Sequence, residues 1–136
     1  MTLTADTSVL IASFSMWHEH HKVALAATGR IDSVIAHCLM ETYSVLTRMP
    51  APQRMAADVV ARHLDHSFGR HTVFALPPRE LRTLVQTCAE RGIQGGAVYD
   101  AVIAATCARA NAKLLTLDAR AKQTYVTLGT THELLV

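Results

Sequence analysis

The densest apolar pattern of the chain lies at 95–121, GGAVYDAVIAATCARANAKLLTLDARA. Nothing between 97 and 110 breaks a helix, and apolar residues recur on nearly every side of that segment. This pattern predicts an enclosed helix. The segment 113–117, KLLTL, is apolar on both faces, which is typical of a parallel strand covered on both sides. The two elements therefore predict the interior of an α/β domain.

The rest of the chain alternates between short apolar segments and amphipathic helical ones. Strands are predicted at 2–5, 33–37, 71–76 and 113–117, with a final edge strand at 131–136. Helices are predicted at 7–14, 18–30, 38–49, 52–68, 79–91 and 97–110, and around 121–125. The positions predicted to face the core include Val23, Leu25, Val59, Leu81 and Val85. The alternation predicts a three-layer α/β/α sandwich with a mainly parallel central sheet of four to five strands.

Composition narrows the class of protein. A chain of 136 residues fits one domain, 1–136, and its 50% hydrophobic and 18% charged residues indicate a globular fold. The sequence shows neither a signal-peptide pattern nor an apolar run of bilayer length. Three widely spaced cysteines without a CxxC pair indicate reduced thiols and no zinc site. We therefore expect a cytoplasmic protein with no membrane association.

Four acidic residues are predicted at one edge of the sheet. Asp6 follows the first strand, and Asp118 follows the strand at 113–117. Glu41 and Asp100 are each expected in the first turn of a helix. Strand carboxyl ends and helix N-termini meet at the edge where open α/β sheets bind ligands. Each acid alone could merely cap a helix or complement its dipole, but their convergence predicts a site.

The chemistry expected of such a cluster is metal-dependent hydrolysis. Crowded carboxylates raise one another's pKa and suit Mg²⁺ or Mn²⁺, which can activate water and neutralise charge developing on phosphorus. The 13 basic residues exceed the seven acids that remain outside the cluster, so a basic surface could hold a polyanion. Two histidine pairs, His18 with His21 and His63 with His66, are interpreted as solvated helix faces.

The segments around the four acids resemble a known family. DTSVL, ETYSVLTRMP, YDAVIAATC and TLDARA, in this order, resemble the PIN domain and, more narrowly, the VapC toxins of bacterial toxin–antitoxin pairs. The resemblance covers nearly the whole chain. It implies a cytoplasmic, homodimeric, Mg²⁺- or Mn²⁺-dependent endoribonuclease that cuts RNA, inhibits translation and growth, and is neutralised by a VapB-type antitoxin.

The resemblance also implies roles for individual residues. The catalytic and metal-binding set would be Asp6, Glu41, Asp100 and Asp118. Nearby hydroxyls that orient ligands or water would be Thr7, Ser8 and Thr116. The basic residues expected nearest the site, as contacts for RNA phosphates, are Arg48, Arg120 and Lys122.

Two alternatives come from other classes of protein. A signalling receiver domain also gathers acids at strand ends, but Asp6 is followed by Thr7 instead of a second acid, and the expected lysine is absent. A catalytically silent PIN-like module that only binds RNA or protein remains open.

The sequence also suggests surfaces for a partner. Trp17 and Tyr43 are the aromatic residues expected at the surface. Large apolar residues exceed what one narrow core needs, and some are expected to line a groove for the antitoxin: Trp17, Leu25, Tyr43, Leu46, Met49 and Met55.

Overall fold

The computed structural model describes residues 1–136 as five strands and seven helices. The strands are β1 (Thr2–Ala5), β2 (Ser33–Ile35), β3 (Thr72–Phe74), β4 (Ala112–Thr116) and β5 (His132–Leu134). The helices are α1 (Thr7–Phe14), α2 (His21–Thr28), α3 (Ala36–Arg48), α4 (Ala57–Phe68), α5 (Pro78–Arg91), α6 (Ala97–Ala110) and α7 (Lys122–Thr127). Two helices follow each of the first three strands, and this order of strands and helices matches the predicted segments.

All strand pairs are parallel. In one sheet β1 pairs with β4, starting at Thr2 opposite Ala112, and β4 pairs with β5. In the other, β2 pairs with β3. The two sheets meet where the Thr4 hydroxyl donates to the Ser33 carbonyl at 3.0 Å and the Asp32 N–H donates to the Leu3 carbonyl. These bonds place β2 beside β1, so the predicted parallel α/β/α fold is confirmed.

The main hydrophobic core surrounds the middle of the sheet. Leu114 and Leu115 of β4 are completely buried, which explains why that segment is apolar on both faces. Ile103, Ala104 and Cys107 of α6 join the same core. A smaller cluster lies under α5, between that helix and the start of α6. The interior position predicted for the segment 97–117 is confirmed.

Several helices bury a narrower stripe than the sequence predicted. On α2 only Ala24 and Ala27 are buried, and on α5 only Leu84 and Cys88. These pairs are spaced i, i+3 and i, i+4, which is the seam of a helix that touches the core along one line. The core positions predicted at Val23, Leu25, Val59, Leu81 and Val85 are wrong, because all five side chains are exposed.

Helix boundaries differ in two places that affect the site. The strand β2 is short, and α3 begins at Ala36, so Glu41 lies in its second turn. The prediction that Glu41 lies in a first turn is therefore wrong. The helix predicted at 18–30 begins only at His21, because the residues before it form a hydrogen-bonded turn in which the His18 N–H donates to the Ser15 carbonyl.

The three cysteines, Cys38, Cys88 and Cys107, are buried and unbridged, as predicted. None of the helices has both the length and the apolar character needed to cross a membrane.

Candidate active site

Four carboxylates line one cavity of about 220 Å³. Asp6 is the N-cap of α1 directly after β1, and Asp118 follows β4. Glu41 comes from α3 and Asp100 from the first turn of α6. The structure therefore brings together all four acids from distant parts of the chain. Glu41 reaches the cavity from one turn further along its helix than predicted.

Asp6 forms the base of the cavity and is only 2% exposed. Its carboxylate accepts hydrogen bonds from the backbone N–H of Ser8 at 3.1 Å, from the Ser8 hydroxyl, and from the Tyr125 hydroxyl at 2.8 Å. Burial raises the pKa of Asp6, and bonds from Ser8, Thr116 and Tyr125 partly offset that rise. Asp6 is thus a fixed, almost fully satisfied carboxyl group.

Asp100 is half-buried and shows the strongest effect of crowding. Burial, followed by the charges of Asp118, Asp6 and Glu41, raises the pKa of Asp100 to about 6. Carboxylates held close together repel one another, and this repulsion favours protonation of one carboxyl group of the cluster. No basic residue lines the cavity beside these four acids, and such an excess of negative charge favours a bound cation.

Glu41 remains ionised because basic groups lie next to it. The adjacent His37 ring, the nearby Thr7 hydroxyl and then Arg48 lower the pKa of Glu41 against the opposing effect of burial. The Nε2 atom of His37 lies 3.8 Å from a Glu41 oxygen, which is too long for a hydrogen bond, and it has no other partner. The His37 ring is parallel to the Tyr99 ring, with centroids 5.4 Å apart. The pair thus forms an aromatic wall beside Glu41.

The three predicted hydroxyls all lie near the acids. The Ser8 oxygen accepts the backbone N–H of Leu117 at 2.9 Å, and the Thr116 hydroxyl accepts that of Asp118 at 3.0 Å. These bonds join the start of α1 to the loop that carries Asp118. The Thr7 hydroxyl is buried without a hydrogen-bond partner and lines the cavity, so it is free to contact a ligand.

The three predicted basic residues lie outside the carboxylate cavity. Arg48 donates to the Ser44 hydroxyl at 2.9 Å, and Lys122 begins α7 in an exposed position. The Arg120 side chain is 96% exposed, and its Nε lies 3.7 Å from an Asp118 oxygen. Arg120 is therefore the one of the three that forms an ion pair with one of the four acids.

The sequence pattern predicted no site role for Tyr125 or His37. Tyr125 carries no local signal, because its partner Asp6 lies 119 positions away and a lone tyrosine in a short helix is typical of a core residue. His37 lies four positions before Glu41, and this i, i+4 spacing on one helix face could have identified the pair.

Two surface predictions also need correction. Tyr43 packs against the core, and Tyr99 is exposed instead. The predicted apolar groove does not form as a set, because Leu46 is fully buried, Met49 and Met55 pack on the core, and only Trp17 and Leu25 remain exposed.

The donor set fits a hard divalent cation bound through water. No three acidic, histidine or cysteine side chains are close enough to hold an ion by direct contact alone. The carboxylate oxygens nevertheless surround one cavity, and Mg²⁺ characteristically keeps several water ligands. The histidine pairs do not form such a site, since His21 contacts the Ala12 carbonyl and His63 packs on Phe14.

Comparisons with known proteins agree with this geometry. A family model described as PIN domain matches residues 4–126. The chain is 44% identical over 133 residues to Ribonuclease VapC40 of Mycobacterium tuberculosis, covering 98% of both chains. It is 40% identical over 128 residues to Ribonuclease VapC27 of the same organism, covering 93% of this chain and 92% of the relative. The structure of DNA bound VapBC from Salmonella typhimurium superposes with a TM-score of 0.70 at 16% identity, covering 100% of this chain and 99% of the other.

Proposed function

Because the chain belongs to the PIN-domain family and to its VapC-type members, we propose that it is a metal-dependent endoribonuclease and the toxin of a toxin–antitoxin pair. The observation that supports the chemistry is the single cavity lined by Asp6, Glu41, Asp100 and Asp118. Its excess of negative charge, expressed in the raised pKa of Asp100, suits a site that works with a divalent cation.

The four acids would hold Mg²⁺ or Mn²⁺ partly through water. When bound, such an ion supplies an activated water and neutralises charge on the phosphate. The side chains of the cavity would position the ion and the phosphate. Asp6 provides a fixed anchor through its bonds to Ser8 and Tyr125, and Glu41 stays charged beside His37.

The pKa of Asp100 is about 6 in the ion-free site, and a bound cation would favour its charged form, so Asp100 would act as a ligand of the ion. The free hydroxyl of Thr7 is suited to orient a water or a phosphate oxygen within the cavity. Arg120, Lys122 and Arg48 would contact RNA phosphates around the acids, with Arg120 nearest to the site.

We further propose that the protein forms a homodimer in the cytoplasm, inhibits translation and growth, and is neutralised by a VapB-type antitoxin. The relatives named above support the antitoxin, since one of the superposing structures is itself a VapBC complex. The exposed apolar side chains of Leu25 and Val85 offer surface for protein partners.

RNA cleavage by protein purified free of antitoxin is the direct test. Cleavage should require Mg²⁺ or Mn²⁺ and stop in EDTA. Asp100→Asn should lose at least about 100-fold in rate, while Asp58→Asn, which changes an exposed acid on α4, should cut RNA normally. Full activity in EDTA would refute the metal mechanism. RNA that is bound but never cut with either ion would identify the silent binding module instead.

A further inference from the structure

A second cleft opens directly beside the carboxylate cavity. Its volume is about 350 Å³, and it shares Ser8, Ile11 and Asp118 with the carboxylate cavity. Because the two spaces share these walls, an RNA strand whose phosphate reaches the acids has room for a neighbouring nucleotide in the second cleft. The other wall residues are His18, Glu19, His20, Leu117 and Arg120.

The histidine wall of this cleft is held by backbone bonds. The Ser15 N–H donates to the Ile11 carbonyl, and the His21 N–H donates to that of His18. The His21 ring contacts the Ala12 carbonyl at 2.8 Å. The connection between α1 and α2 is therefore pre-organised, so a ligand bound there would not have to order a loop.

His18 presents an uncharged donor to the cleft. Its Nδ1 accepts the backbone N–H of His20 at 3.0 Å, which leaves the proton of the neutral ring on Nε2. Burial, and then the neighbouring His20, lowers the pKa of His18, so the ring is neutral at pH 7. The charged residues of the wall are Arg120, Asp118 and Glu19, and Glu19 pairs with the His20 ring at 3.5 Å. Such a wall suits hydrogen bonding and stacking more than charge attraction.

An aromatic surface extends this wall. Trp17 is 51% exposed, and its ring centroid lies 5.7 Å from that of His18. An exposed indole beside a polar cleft is the arrangement on which proteins stack the bases of single-stranded nucleic acid. Trp17 is also the single tryptophan of the chain, so its fluorescence reports on this one place.

We propose that this cleft is a subsite for one nucleotide of single-stranded RNA next to the cleaved phosphate. A base stacks on Trp17, His18 donates a hydrogen bond from Nε2, and Arg120 contacts a phosphate. This proposal rests on the proposed ribonuclease function and names the part of the chain that selects unpaired RNA. Duplex RNA cannot offer a free base to Trp17, so it should bind more weakly.

Binding in EDTA tests the subsite separately from cleavage. A fluorescein-labelled single-stranded hexanucleotide should quench Trp17 emission in parallel with its rise in anisotropy. Trp17→Ala should weaken binding about tenfold, and Trp17→Phe, which keeps a stacking ring, should recover most of that loss. His18→Ala should weaken binding about threefold to tenfold. The matched control is Leu25→Ala, an equally exposed apolar residue of α2 outside the cleft, which should stay within twofold.

The outcomes separate this proposal from the proposed function. Unchanged Trp17 emission at saturating RNA, or wild-type affinity in Trp17→Ala, overturns the subsite even when Mg²⁺-dependent cleavage is intact. If Trp17→Ala and Leu25→Ala keep RNA binding and instead weaken antitoxin binding, the surface belongs to a protein partner and the subsite is overturned. If Trp17-dependent binding occurs but no ion supports cleavage, the subsite stands and the ribonuclease proposal fails.

Discussion

Replacing Asp100 with asparagine should stabilise the ion-free protein at pH 7. A rise in pKa from 3.8 to about 6 corresponds to about 3 kcal/mol for a fully buried group. Because the carboxyl is only half-buried, solvent screening leaves about 1–1.5 kcal/mol of unfavourable energy that Asp100→Asn would remove. The variant also loses a favourable interaction with the α6 dipole, of about 0.3–1 kcal/mol. The expected net gain is about 0.5 kcal/mol, or a Tm about 2 °C higher.

The pH dependence of stability independently tests whether Asp100→Asn stabilises the ion-free protein. Between about pH 4 and pH 6 the folded state binds more protons at Asp100 than the unfolded state, so the wild type loses stability as the pH rises through this window. The gain of Asp100→Asn should therefore be present at pH 7 and shrink towards pH 5. Added Mg²⁺ should stabilise the wild type more than the variant, because the variant's site is weaker.

Thermal melts in EDTA and in Mg²⁺, at pH 5 and pH 7, measure all these quantities. The control is Asp58→Asn, since Asp58 also lies in the first turn of a helix but is exposed and pairs with Arg62. It should lower stability by about 0.3–1 kcal/mol at pH 7. If Asp100→Asn is destabilised in EDTA as much as this control, Asp100 is a dipole-complementing residue and the crowding argument is refuted.

Two further predictions concern Tyr125 and Arg120. Tyr125→Phe leaves an oxygen of the buried Asp6 without its donor, so urea unfolding at pH 7 should show a loss of about 1.5–3 kcal/mol. The loss of unfolding free energy should shrink at acid pH, where Asp6 is protonated. An equal loss at pH 7 and at acid pH would show that the Tyr125 hydroxyl does not stabilise a charged Asp6. Arg120→Ala should leave the Tm unchanged, because its side chain is 96% exposed. It should also reduce the slope of log affinity for single-stranded RNA against log salt by about 0.7, whereas Arg62→Ala should leave the slope unchanged.

The sequence predicted three of the four acids in their structural context because the signals are local. A strand followed at once by an acid identifies Asp6 and Asp118, and an acid in the first turn of an uninterrupted helix identifies Asp100. Glu41 was assigned to the wrong turn because the end of β2 depends on its pairing with β3, which lies more than 30 residues further along. Local residue propensities do not depend on that distant pairing, so they could not predict where β2 ends.

Features that depend on tertiary contact were not predictable in the same way. The bond between Tyr125 and Asp6 and the stack of His37 on Tyr99 join segments that are distant in the chain. The exposure of Leu81 and Val85 has a similar cause. An apolar stripe shows which face of a helix turns inward, but the neighbouring elements decide how wide a stripe they cover.

The pairing of β1 with β4 has a consequence for synthesis on the ribosome. The strand β1 is made long before its only ladder partner, which begins at Ala112. At about 5–20 residues per second, the chain between Asp6 and Asp118 takes on the order of 5–20 seconds to make. Throughout that interval Asp6 and Glu41 are made before Asp118 is present to complete the site. A nascent chain therefore cannot assemble the carboxylate cavity, and the proposed nuclease activity of each copy can begin only after Asp118 has been made.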